Sequence, residues 1–243
     1  MAGVMHIDEE ALQLSLQRLR EAAIDADVAA VMKRAVGAVD RVFGCSGAGI
    51  MFVTQAGRLS YVAASDEPGR RLEEAQVEAG QGPCYDSYVY AREIVSRDVH
   101  DDDRWPKLPP HLPPQVRAVL GIPVNLGGSP VGTLNVYRDA PADWDESDIN
   151  ALRAYGDLIA DIVSAALAAQ DHGELADQLQ YALDYRVIIE RAIGYLMGSL
   201  GLDPVTSFDV LRKRARDSRR RVADVAAEVL RGMEAGANDR PPL

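Results

Sequence analysis

Residues 119–138, VLGIPVNLGGSPVGTLNVYR, are two apolar, β-prone runs joined by Gly127-Gly128-Ser129-Pro130. Glycine enters the positive-φ region without steric cost, so the joint reads as a hairpin turn and the runs as its arms. A hairpin dictates antiparallel pairing. A second one precedes it, where GAGIMFV (Gly47–Val53) and LSYVAA (Leu59–Ala64) flank a turn centred on Gly57. Working outward, about Asp8 to Phe43 reads as helical, with Leu12, Leu16, Leu19, Val28, Val31, Ala35 and Val39 at helical spacings before Gly44 stops it. Glu67–Ala79 is a charged helical segment. It leads through the Gly80–Cys84 loop, GQGPC, into a short helix and a strand-like stretch, Glu93–Val99. The run DDDRWPKLPPHLPP, rich in turn formers, is a loop. Two hairpins flanked by helices predict an α+β fold on an antiparallel sheet.

From Asp145 the pattern changes to one long helical period. Leu152, Tyr155, Ile159, Ile162, Ala166, Ala169 and Ala176 fall at alternating spacings of three and four, as in a coiled-coil seam. Ala166, Ala169 and Gly173 would make the seam shallow. Two readings stay open: a signalling helix that pairs two subunits, or an amphipathic helix that covers its own sheet.

Three further apolar stripes follow. The first helix, about Asp177 to Met197, carries Ile189, Ala192, Ile193, Leu196 and Met197, with Gly201 as its stop. Asp203 as N-cap and Pro204 at the first helical position start the second, which buries Val205, Phe208, Leu211 and Ala215. Val222, Val225, Ala226, Val229 and Leu230 form the third. Three short stripes make one small helical core.

At 243 residues the chain can hold two domains, divided here as 1–170 and 171–243. No run approaches the roughly 20 apolar residues that cross a bilayer, and the start, MAGVMHIDEE, lacks a secretory pattern, so the expected location is cytoplasmic. Cys45 and Cys84 lack paired spacing and the four histidines are scattered, which suggests neither a disulfide framework nor a metal site. An enzyme with Cys84 as nucleophile and His100 or His111 as base would need a proximity that sequence does not display. No catalytic residue is therefore assigned, and a phosphorylation-driven receiver fold is excluded by the missing alternation of strand and helix.

The formal net charge of −11 argues against nucleic-acid binding only if it is evenly spread. It is not. Residues 1–173 hold 15 basic and 26 acidic side chains, whereas 174–243 hold 11 of each. Within that half, Arg212, Lys213, Arg214, Arg216, Arg219, Arg220 and Arg221 face Asp217 alone. Arginines at a helix start oppose the macrodipole, so local stability does not account for Arg219, Arg220 and Arg221, while backbone N–H groups and guanidinium forks there suit phosphate oxygens. Alternatives are a solvated face or pairing with the acidic half. Gly194 costs about 1 kcal/mol inside a helix relative to alanine, which a close approach of RNA or of another helix would explain. Arg191 and Tyr195 share a face that could hold a phosphate and stack on an unpaired base, or Tyr195 packs on its own helix.

The order of helix, hairpin, helix, GQGPC loop, RWP loop, hairpin and long exit helix resembles the GAF domain family over residues about 8 to 170. The resemblance implies a sensor of a small molecule or a partner protein. Its pocket would lie above the sheet, bordered by Gly80–Tyr88 and Asp101–Leu112, with Gly82, Cys84, Tyr85 and Trp105 as candidate lining. The ligand or cofactor stays unknown, since the asparagine, lysine and glutamate set of cyclic-nucleotide-binding relatives has no counterpart here. The tail, from Leu179 to Leu230, resembles the ANTAR family, carried by Arg186, by Ile189, Ala192, Gly194, Leu196 and Met197, by Phe208, Leu211 and Ala215, and by Val222–Val229. That resemblance implies a dimeric, non-enzymatic antitermination regulator binding paired RNA hairpins through Arg186, Arg191, Gly194, Tyr195 and the seven cations named above. One departure stands out: Ile193 occupies the position before the glycine where the family usually has lysine.

Overall fold

The computed structural model describes residues 7–23, 27–54, 57–168 and 174–238. The N-terminal helical stretch is two helices, α1 (Glu9–Ala22) and α2 (Val28–Phe43), because Asp27 caps the second by accepting from the Ala29 and Ala30 amides. Gly44, at φ 52°, ends α2 in the left-handed region.

Five strands form one sheet in the order β2-β1-β5-β4-β3, every neighbouring pair antiparallel. They are β1 (Gly47–Val53), β2 (Leu59–Ala64), β3 (Ile94–Ser96), β4 (Ala118–Leu126) and β5 (Ser129–Arg138). Both expected hairpins are present: β1 pairs with β2, and β4 with β5 through Gly127 and Gly128, both at positive φ. Alternation gives β5 two jobs. Leu134, opposite Ile122, belongs to the main core, where Ile122 underlies α5 (Glu146–Ala168) so closely that a Cβ on Gly156 would lie 2.7 Å from it. Asn135 and Tyr137 turn the other way, to α3 (Glu67–Ala79). A second cluster, centred on Trp105, Leu108 and Leu72, fills the space under α3 toward β3.

Leu152, Tyr155 and Ile159 of α5 are fully buried in the main core beside β4 and α2. The first half of the expected seam therefore covers the chain's own sheet. Ala169 and Gly173, and the division near residues 170–171, lie outside the described residues.

The tail forms α6 (Glu174–Leu200), α7 (Pro204–Ser218) and α8 (Val222–Asn238). Ile189, Ala192, Leu196, Phe208, Leu211, Ala215, Val222 and Val225 join the same core as the sheet residues. Packing of α7 on α4 (Pro83–Tyr90) and of α6 on β1 and β5 adds to the small core that the three stripes make.

Candidate nucleic-acid interface and its contact with the sensor half

Asp203 starts α7 as expected, accepting from the Thr206 hydroxyl and from the Thr206 amide at 3.1 Å, and these hydrogen bonds, the hydroxyl's first, hold its carboxyl below the usual range. Lys213, Arg214 and Arg216 lie exposed on the outer side of the helix. Arg219, Arg220 and Arg221 occupy the α7–α8 turn rather than the body of α8. Arg219 is the C-cap of α7, at φ 53°, and the Arg220 amide donates back to the Ala215 carbonyl at 2.9 Å. Arg221 is the residue before α8, its carbonyl accepting from Val225 at 3.3 Å. Glu228 on α8 takes an ion pair from Arg214 at 2.5 Å and another from Arg220, which hold its carboxyl below the ordinary range. Arg191, Lys213, Arg216 and Arg219 make no ion pair among the described residues.

On α6, Arg191 and Gly194 are exposed and Tyr195 is half-buried. Beyond its own turn of helix, no described atom lies within 4 Å of where a Gly194 Cβ would sit. Nothing described in the chain therefore uses the close approach that this glycine permits. Ile193 is only 9% exposed and belongs to the core. At the position where the family usually has lysine, the side chain is therefore part of the core and not of the exposed face.

Two expected RNA contacts are turned inward instead. Arg186, 5% exposed, stacks 4.6 Å over the Tyr88 ring of α4 and donates to Glu190 at 2.7 Å. Arg212 lies 5.1 Å from the Tyr85 ring centroid and pairs with Asp209 at 3.1 Å, and it donates to the Tyr85 hydroxyl. That hydroxyl in turn donates to Asp209 at 2.7 Å. Phe208 completes the contact, with its ring centroid 6.3 Å from Tyr85 and 5.9 Å from Tyr88. Beyond it, the Val222 side chain lies 2.7 Å from where a Cβ on Gly57, at the tip of the β1–β2 hairpin, would project. Sequence reasoning placed Tyr85 by a pocket and did not pair it with Phe208 or Arg212. The cue available was a row of aromatics in α4, which has no periodic signature.

The four candidate pocket residues have different surroundings. Gly82 caps α4 at φ 146°, Cys84 is buried, Tyr85 faces α7, and Trp105 sits in the second cluster with its Nε1–H donating to Asp86 at 3.0 Å. Between Met51, Leu59, Gln76, Val77, Tyr85 and Arg212 there remains about 10 Å³, room for a water molecule and no more. Behind α4 lies a polar cluster that the sequence did not single out. Asn135 Nδ2 donates to Glu73 Oε1 at 2.9 Å and to Thr133 at 3.2 Å, while Gln76 donates to Cys84 Sγ at 2.6 Å and accepts from the Cys84 amide at 2.8 Å. Glu73 Oε2 and Asn135 Oδ1 have no partner. Burial raises the Glu73 carboxyl to about 7 and pushes the Cys84 thiol well up, so the sulfur stays protonated and is a poor nucleophile. Its side-chain partners are Gln76 and Glu73, with neither histidine among them.

A five-stranded antiparallel sheet with flanking helices thus continues into a three-helix unit that carries exposed cations. A GAF domain model matches residues 25–164 and an ANTAR domain model matches residues 177–230. The chain belongs to the GAF domain family and carries an ANTAR domain after it. No curated protein matches. Among solved structures, a free methionine-R-sulfoxide reductase from Neisseria meningitidis is 17% identical with a TM-score of 0.55, over 70% of this chain and 99% of that one. The GAF domain of a phosphoenolpyruvate-protein phosphotransferase from Coxiella burnetii is 15% identical with a TM-score of 0.54, over 67% and 98%. The corresponding Acinetobacter domain is 16% identical with a TM-score of 0.54, over 67% and 97%. At these identities the likeness is one of fold.

Proposed function

We propose that this chain is a non-enzymatic, cytoplasmic regulator of transcription antitermination whose ANTAR half, residues 171–243, binds paired RNA hairpins under control of the GAF half, residues 1–170. GAF and ANTAR domains in one chain support a GAF-regulated ANTAR regulator in general. The observation that carries the RNA reading is the run of exposed cations Lys213, Arg216 and Arg219 beside Arg214 and Arg220, on an acidic protein with no other such cluster in its sequence. Arg191 and Tyr195 add a cation and a ring, and Gly194 leaves the backbone open to approach. No described helix is long and apolar enough to cross a membrane.

Control follows from one helix having two uses. The side of α7 bearing Phe208 and Arg212 is held by Tyr85 and Tyr88, while the side bearing Lys213 and Arg216 faces solvent. An input at the sensor half that shifts α4 releases Arg186 and Arg212 to join the exposed cations, and two copies present two modules to two hairpins. The input, a small molecule or a protein, acts through α4.

A gel-shift titration with a tandem-hairpin RNA tests this. The intact protein binds in a salt-sensitive manner. Changing Arg219, Arg220 and Arg221 to glutamate weakens binding by at least about a hundredfold, as the loss of several phosphate contacts requires. The competing reading, in which the basic tail serves only contacts within the protein, draws on Arg186 and Arg212 lying against α4. It predicts a loosened module and unchanged RNA retention in the same variant.

A further inference from the structure

We propose that the groove between α1 and α2 binds a medium-chain carboxylic acid, its tail on the apolar floor and its carboxylate among Arg18, Arg34 and Arg41. The groove shares no residue with the cations of α7 or with α4, and the inference does not rest on the function proposed above.

Helix α1 packs on both α2 and α5. Leu14, Arg18 and Leu19 recur at helical spacing and line the groove from α1, while Arg34, Arg41 and Val42 line it from α2. The space is about 380 Å³, within the range of small-molecule sites. Leu19 is buried, and Leu14 stands at the lip with 47% exposure. Apart from the arginines and Ser15, the lining is apolar. Tyr155 donates to Ser15 at 2.6 Å, which keeps the serine's own O–H as a neutral donor beside the cations.

Charge selects the occupant. Arg34 gives one donor to the Ala22 carbonyl at 3.1 Å, and Arg41 folds back along α2, its Nη1 3.8 Å from where a Cβ on Gly37 would sit. Arg18, Arg34 and Arg41 make no ion pair among the described residues. No acid lines the groove. The nearby carboxylates have other uses: Glu21 accepts from Gln17 at 2.9 Å, Asp27 caps α2, and Asp40 lies 3.9 Å from the Cys45 thiol. Like charges gathered at one groove without a counter-ion repel one another, and an anion relieves that repulsion. A bare inorganic anion would leave the floor wet, and an uncharged apolar molecule would leave the guanidinium groups unanswered. A carboxylate on an apolar tail satisfies both, and its plane matches the guanidinium fork.

Titration calorimetry on the full chain with octanoate, nonanoate and decanoate, each below its micelle-forming concentration, tests this, with decanol as the uncharged control. One saturable site is expected, each added methylene tightening binding about threefold. Decanol binds at least about tenfold more weakly than decanoate. Arg18→Gln and Arg41→Gln each weaken decanoate severalfold and leave the ligand-free melting temperature unchanged, since both side chains are exposed. Equal affinity for decanol and decanoate overturns the carboxylate assignment. Decanoate binding indifferent to both substitutions overturns the groove as its site, and absence of saturable binding overturns the proposal outright. RNA retention is read separately by gel shift, and its failure leaves the groove untouched.

Discussion

Glu73 is a carboxyl buried without a counter-ion, its neighbours being the Asn135 amide and the Cys84 thiol. Its folded value of about 7 lies above the ordinary 4.5, so the folded state binds the proton more tightly than the unfolded chain. The cost of ionisation is absent below about pH 4.5, grows as pH rises toward about 7, and is complete above it. Glu73→Gln supplies an amide that can both accept from Asn135 Nδ2 and donate toward Asn135 Oδ1. The variant is expected to melt at nearly the wild-type temperature at pH 5 and to be more stable by roughly 3 kcal/mol at pH 8. Thermal melts across that range that show parallel profiles would sink the assignment of the proton to Glu73. Nothing in the sequence marked this residue. In a segment as charged as α3, apolar spacing identifies a helix but does not say which polar side chains it buries. The glycines that make room, Gly49 for Glu73, Gly82 for Gln76 and Gly121 for Asn135, lie on three other segments of the chain.

Elements were legible where their signal is local. The turn glycines between β4 and β5 and the Asp203-Pro204 start of α7 are each written within a few residues, and each forms as read. The contact between α4 and α7 was not legible, since Tyr85 and Asp209 are 124 residues apart and no periodicity links them. The same limit left the exit helix ambiguous: an apolar stripe shows that a face is buried, and only the fold shows against what. Tyr85→Phe keeps the ring against Phe208 and removes the hydroxyl shared by Asp209 and Arg212. A loss of about 1 kcal/mol in the contact is expected. Faster amide exchange confined to α7 and α4, together with severalfold tighter RNA binding, would follow if that contact restrains the RNA face. Unchanged exchange and unchanged RNA affinity would show that it does not.

At the scale of the molecule, sheet and tail share one apolar core, so a shift of α4 against the sheet is felt directly by the packing of the tail helices. Charge is unevenly distributed: the acidic excess sits in residues 1–173, and the run of cations Arg212–Arg221 lies in the otherwise neutral tail. The turn at Arg219 brings stability and binding into conflict. A left-handed backbone suits glycine, and arginine gives up about 1 kcal/mol there. Arg219→Gly is accordingly expected to raise the melting temperature by a few degrees while lowering RNA affinity severalfold, read from a melt and a gel shift on one preparation. A variant that gains stability and loses no affinity would remove Arg219 from the interface. Selection for heat resistance alone would therefore replace this arginine.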